Sequence, residues 1–196
     1  MHANQNRLFA VAERQQGCFT SGQAVACGYP TSNHGYHVRS GAWSRVGRGI
    51  YRLTRFPFSP EDQYVLWSLW SRDRTGKPQG VFSHQTALSI HELSDVMPAK
   101  LHLTVPVRFR RRAALPAIIC LHKTALPDGE IEARQGYRVV RPLRAIADLL
   151  RDGAESRDHL RQALRQGLDR GLITQTELRK HPERITLQAL LDGNPA

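Results

Sequence analysis

Between Ser32 and Arg39 the chain sets hydrogen-bonding side chains at most positions: Ser32, Asn33, His34, Tyr36, His37 and Arg39. Carried on one helix, such groups suit base-pair edges in a major groove, where arginine pairs with guanine and asparagine with adenine. A few residues later Arg45, Arg48 and Arg52 alternate with Val46 and Ile50 around a Gly47-Arg48-Gly49 tip. Arginines on such a hairpin suit phosphate oxygens or a narrow minor groove. The implied chemistry is non-covalent recognition of double-stranded DNA. Its candidates are Ser32, Asn33, His34, Tyr36, His37, Arg39, Arg45, Arg48 and Arg52.

The charge distribution agrees. The 196-residue chain holds 28 Lys and Arg against 17 Asp and Glu, a formal net charge of +11. Residues 1–56 contain seven arginines and a single acid, Glu13, so much of the excess lies at the front. A polyanionic partner follows, either nucleic acid or an acidic membrane surface. No stretch approaches the roughly 18 apolar residues of a spanning helix. The N-terminus lacks the apolar run of a signal peptide. Three cysteines without Cys-x-x-Cys spacing read as reduced thiols, and a cytoplasmic location is expected.

Signatures of catalysis are missing. No Asp or Glu has Lys two positions later, the pattern with which restriction-type nucleases hold metal and activate water. Asp128, Glu130 and Glu132 lack the preceding Gly-Ser turn of a nucleotidyltransferase, and no Gly-x-x-x-x-Gly-Lys occurs. His34 and His37 stand one helical turn apart without a third metal ligand. Ser83-His84 reads as a helix start, and His91, His102 and His122 as single core or interface residues. No catalytic residue, metal or cofactor is expected.

The elements that must position these residues can be read from periodicity and punctuation. Leu8, Val11 and Ala12 share one face of a helix over residues 7–15, which Gly17 stops. Thr20 or Ser21 caps a second helix over 22–27, ended by Gly28. A third follows over 33–40, with Val38 turned to the core. Gly35 costs about 1 kcal/mol inside a helix, which leaves open a start at Tyr36. The hairpin over 41–53 comes next, with both tip glycines expected at positive φ. Helix, helix, helix and basic hairpin is the order of a winged helix-turn-helix.

Pro57 and Pro60 mark a junction. The expected division is a winged helix-turn-helix DNA-binding domain over 1–56 and an α+β domain over 57–196. In the latter the pattern predicts helices over 61–73, after Ser83, and over 142–150, 158–170, 175–180 and 186–191. Strands are predicted over 101–105, 118–122, 130–133 and 137–140. The fold class is α+β. The arginine run Arg108 to Arg112 either extends the basic surface or forms a solvated loop.

With these segments in view, the chain resembles the AbiEi family of antitoxins, the DNA-binding partners in type IV toxin–antitoxin pairs. The likeness rests on Gly17-Cys-Phe-Thr-Ser-Gly-Gln-Ala24, Gly28 and Arg45-Val-Gly-Arg-Gly-Ile-Tyr-Arg52. It continues in Val81-Phe-Ser-His-Gln-Thr-Ala-Leu88, His91-Glu-Leu93, Leu101-His-Leu-Thr-Val-Pro106, Arg141 to Leu150 and Gly171-Leu-Ile-Thr174. The resemblance implies a winged domain that represses its own operon and a C-terminal domain with antitoxin activity. It also implies a nucleotidyltransferase-like toxin, often opposed without a durable complex. Gly35 departs from the continuous recognition helix so implied. Two other readings remain open: a free-standing winged-helix transcription factor, and a DNA-processing enzyme whose second domain is a degenerate nuclease.

Overall fold

The computed structural model describes residues 2–93, 98–111 and 114–193. It is a mixed α and β protein whose chain divides into two compact units. The first comprises Met1–Gly80 and Ala133–Arg138, the second Val81–Glu132 and Val139–Ala196.

The first unit begins with α1 (His2–Glu13), β1 (Cys18–Thr20), α2 (Ser21–Ala26) and α3 (Thr31–Arg39). It continues through β2 (Trp43–Gly47), β3 (Ile50–Leu53) and α4 (Asp62–Trp70). Leu8 and Ala12 of α1 are buried, as their spacing requires. Gly17 reverses the chain at φ 80°, where an added Cβ would lie 2.6 Å from the Phe56 side chain. β1 pairs antiparallel with β3, and β3 with β2, giving the order β1-β3-β2.

α2 starts in a capping box. The Thr20 hydroxyl accepts from the Gln23 amide, and the Gln23 side chain accepts from the Thr20 amide. Two otherwise orphaned donors are thereby satisfied. Thr20→Ala is expected to cost about 1 kcal/mol, read as a lower midpoint in urea at unchanged slope.

The helix expected over 33–40 begins earlier, at Thr31, and runs unbroken through Gly35. The start at Tyr36 is therefore corrected. Packing of its neighbours on Trp43 and Tyr51 outweighs the glycine's modest propensity cost. Of the two tip glycines only Gly49 takes a positive φ, at 66°. Gly47 instead pairs with Ile50, and the register slips by one residue at Val46.

The second unit contains β4 (Val81–Phe82), α5 (His84–Ile90), β5 (Leu101–Val105) and β6 (Ile119–Lys123). A 3-10 turn, Asp128–Glu130, leads to β7 (Ile131–Arg134) and β8 (Tyr137–Val140), whose joining stretch Ala133–Arg138 is counted with the first unit. The sheet order is β6-β5-β4-β8-β7, with β4 antiparallel to β5 and parallel to β8. Four helices complete the unit: α6 (Pro142–Asp152), α7 (Arg157–Asp169), α8 (Gln175–Lys180) and α9 (Arg184–Asp192). α6 starts with Pro142 in its first turn and ends at Gly153 in the left-handed region. Its Asp148 is buried, holding Arg144 Nε through both oxygens at 2.8 and 2.9 Å and Arg151 Nη1 at 3.0 Å. Of the arginine run Arg108 to Arg112, Arg112 lies outside the described residues.

Candidate nucleic-acid interface

α3 has two distinct faces. Ser32, Asn33, Tyr36 and Arg39 fall three or four residues apart and are exposed, with Tyr36 63% exposed. His34, His37 and Val38 turn the other way. His34 is only 2% exposed; its Nε2 lies 2.9 Å from the Tyr29 carbonyl and its Nδ1 3.3 Å from the Ser21 hydroxyl. A neutral ring that donates from Nε2 and accepts at Nδ1 satisfies both contacts.

His37 stacks on Trp43, with centroids 4.5 Å and planes 24° apart, and meets Tyr29 edge-on. Burial, then the neighbouring His34, pushes its pKa below the ordinary histidine range. His34 is thus corrected from a base-reading candidate to a core residue. His37 is a half-buried prop beneath the exposed stripe. Six polar side chains within eight residues concealed this, because two of them, His34 and His37, are rings that the Trp43 cluster can absorb.

The hairpin separates its arginines as well. Arg45 pairs with Tyr51 across the strands and is exposed, and Arg48 is exposed at the turn. Arg52 points to the opposite face and is 3% exposed. It lies 3.1 Å from Asp62 Oδ2, donates to the Pro57 carbonyl at 2.6 Å and sits 4.1 Å from the Phe58 ring centroid. α4 packs on all three strands of this sheet, so the face carrying Arg52 is covered. Arg52 is therefore corrected from a DNA contact to one half of a buried ion pair. A regular hairpin would set Arg45 opposite Arg52 on one face, but the extra residue at Val46 sends Arg52 to the other, where α4 covers it.

The structure adds one residue that the sequence did not single out. Arg72, just beyond α4, donates from Nη1 to the Leu69 carbonyl at 2.7 Å. Its Nη2 reaches the carbonyls of Arg48 and Gly49 at 3.3 and 3.4 Å. It braces the turn that displays Arg48. Nothing local in the sequence marks it, because the turn carbonyls it reaches are more than twenty residues away.

An exposed polar helix stripe beside an arginine-tipped hairpin is the arrangement that the family comparison then meets. Residues 6–54 match the AbiEi antitoxin family of transcriptional regulators. The AbiEi-like segment runs from within α1 to just past β3 and contains every residue of the exposed stripe and the hairpin. The resemblance read from the sequence is upheld over that segment. No curated protein matches the chain. Among solved structures the chain is similar to the RV2827C protein from Mycobacterium tuberculosis. The TM-score is 0.57 at 14% identity, over 98% of this chain and 72% of that one. At that identity the likeness speaks for the fold alone. Among the described residues, no helix is long and apolar enough to cross a membrane.

All three cysteines are free thiols. Burial, with Asp62 adding to it against Arg52, pushes Cys18 up to about 11. Such a thiol is unreactive at neutral pH.

Proposed function

We propose that the AbiEi-like segment is a winged helix-turn-helix that binds double-stranded DNA, with α2 and α3 as the helix-turn-helix and β2–β3 as the wing. Ser32, Asn33, Tyr36 and Arg39 face base edges, while Arg45 and Arg48 meet phosphate or minor groove. The protein is a cytoplasmic transcriptional autorepressor and the antitoxin of a type IV pair, without catalysis of its own. Its functional partner is a nucleotidyltransferase-like toxin. The DNA-binding role resides in residues 1–56 and the antitoxin role in 57–196. The observation that carries this reading is that the Ser32–Asn33–Tyr36–Arg39 stripe and Arg48 are all exposed and all lie inside the stretch matched by a family of transcriptional regulators.

The test uses the full chain and duplexes from its own upstream region, with scrambled duplexes for comparison. Binding is expected to favour the upstream sequence. It should also weaken linearly in log–log salt plots, by a slope of about −0.9 per neutralised phosphate. Salt-independent binding, or none, would overturn the DNA-binding role.

A third prediction concerns Arg72. Arg72→Ala is expected to lower affinity for both duplexes by a similar factor, smaller than that of Arg48→Ala, because it loosens the turn without removing the contact. Fluorescence anisotropy on the two duplexes checks this. The antitoxin role predicts that the full chain relieves growth arrest by the neighbouring toxin, and that Arg39→Ala still does. If no toxin is neutralised while operator binding persists, the protein is a free-standing transcription factor.

A further inference from the structure

Histidines far apart in the sequence meet on one face of the second unit's sheet. β5 and β6 run parallel, with His102 opposite Cys120 and Thr104 opposite His122. The two-residue alternation of strands sends all four side chains to the same side. α5 packs against β5, and its first residue, His84, is held at φ 54°, a region that residues other than glycine seldom occupy. Backbone strain of this kind collects where a side chain must be aimed.

The His84 ring stacks on His122, with centroids 3.6 Å and planes 15° apart. His102 Nδ1 lies 2.9 Å from His122 Nε2. One nitrogen from each of the three rings lies within 4.8 Å of the other two. Cys120 Sγ is 3.7 Å from His122 Nε2.

Several features give this cluster the chemistry of a transition-metal site. Burial, with the neighbouring rings adding to it for His102 and His122, pushes all three histidines below their ordinary range, His102 to about 4. Metal binds imidazole in its neutral form. On a tetrahedral zinc ion two nitrogens sit about 3.3 Å apart, and nitrogen and sulfur about 3.6 Å, from the usual bond lengths. The pairs His102–His122 and Cys120–His122 are already close to those spacings. Both His84 nitrogens carry a polar partner, so the ion would displace one of them while the other orients the ring. Ser83 Oγ lies 2.9 Å from its Nδ1 and accepts from the Thr104 hydroxyl, and Asp152 Oδ2 lies 3.2 Å from its Nε2. His91, by contrast, is a core residue with Nε2 2.9 Å from the Val140 carbonyl.

We propose that His84, His102 and His122 together bind one divalent transition-metal ion of the zinc class, with Cys120 the nearest fourth ligand. Imidazole and thiolate favour zinc over magnesium or calcium, which take oxygen. The ion ties α5, β5 and β6 of the second unit together.

The experiment is direct metal titration of the full-length protein after stripping with chelator. One equivalent of Zn2+ is expected to bind and to raise the Tm. Co2+ in its place should give the visible bands of a tetrahedral complex. His102→Gln and His122→Gln should each weaken binding at least about tenfold, whereas His159→Gln, an exposed histidine outside the cluster, should change nothing. Circular dichroism checks that both variants fold. If either unfolds, the wild-type Co2+ spectrum decides. No uptake by the wild type, a spectrum without tetrahedral bands, or binding unaltered in folded glutamine variants would each overturn the site.

Discussion

Arg52→Ala is expected to destabilise the first unit by about 3 kcal/mol, while Arg48→Ala, four residues earlier, leaves its stability unchanged within about 0.5 kcal/mol. Removing one partner of a buried ion pair costs about 3–5 kcal/mol, because the other charge is left without compensation. The Arg52 side chain is 4% exposed but that of Asp62 is 19% exposed. Both Asp62 carboxylate oxygens are nonetheless buried, so without Arg52 that charge is left uncompensated. The Pro57 carbonyl loses its donor as well. All three tryptophans, Trp43, Trp67 and Trp70, belong to the first unit, so fluorescence in urea follows its unfolding. The double variant Arg52→Met with Asp62→Leu should recover much of the loss, since two apolar side chains replace a pair whose desolvation was costly. An Arg52→Ala protein as stable as wild type, with weakened DNA binding alone, would return Arg52 to the DNA-facing set.

The contrast between Arg48 and Arg52 shows what the sequence could and could not convey. Amphipathic spacing marked α1, α6 and α7, and β5 to β8 lie within a residue or so of their expected positions. These depend on local pattern. The three-residue strand β1 and two-residue strand β4 did not stand out, because each is too short to display alternation. The covered face of the first sheet was hidden for another reason. Asp62 reads locally as an acid suited to a helix start, and only the packing of α4 turns it into the partner of Arg52. The polar run of α3 was legible as a surface, but its division into exposed and buried sides needed Trp43, Tyr29 and Tyr51 in place. His102-x-Thr104 and Cys120-x-His122 carried a signal at strand spacing. It becomes meaningful only once β5 and β6 are known to be neighbours in register.

The largest expected effect on DNA recognition is at Arg39. Arg39→Ala should cost about 1–3 kcal/mol on the upstream sequence, a loss of roughly five- to 150-fold, and much less on a scrambled duplex. Arg39 is exposed on the same side of α3 as Ser32, Asn33 and Tyr36, and its guanidinium can offer two donors to one guanine. Arg48 stands at a two-residue turn with glycine on either side, so its guanidinium reaches outward with little constraint on its direction. That suits an oxygen of the backbone, which every sequence offers. Arg48→Ala should therefore weaken both duplexes alike and reduce the salt slope by about one phosphate. His37→Ala belongs to a different class, since it removes the ring stacked on Trp43 and should lower stability before it lowers specificity. Anisotropy titrations of the three variants on both duplexes, beside urea midpoints for each, separate these roles. If Arg39→Ala weakens both duplexes equally while Arg48→Ala erases the preference between them, the wing reads sequence and α3 grips the backbone, the reverse of the arrangement proposed.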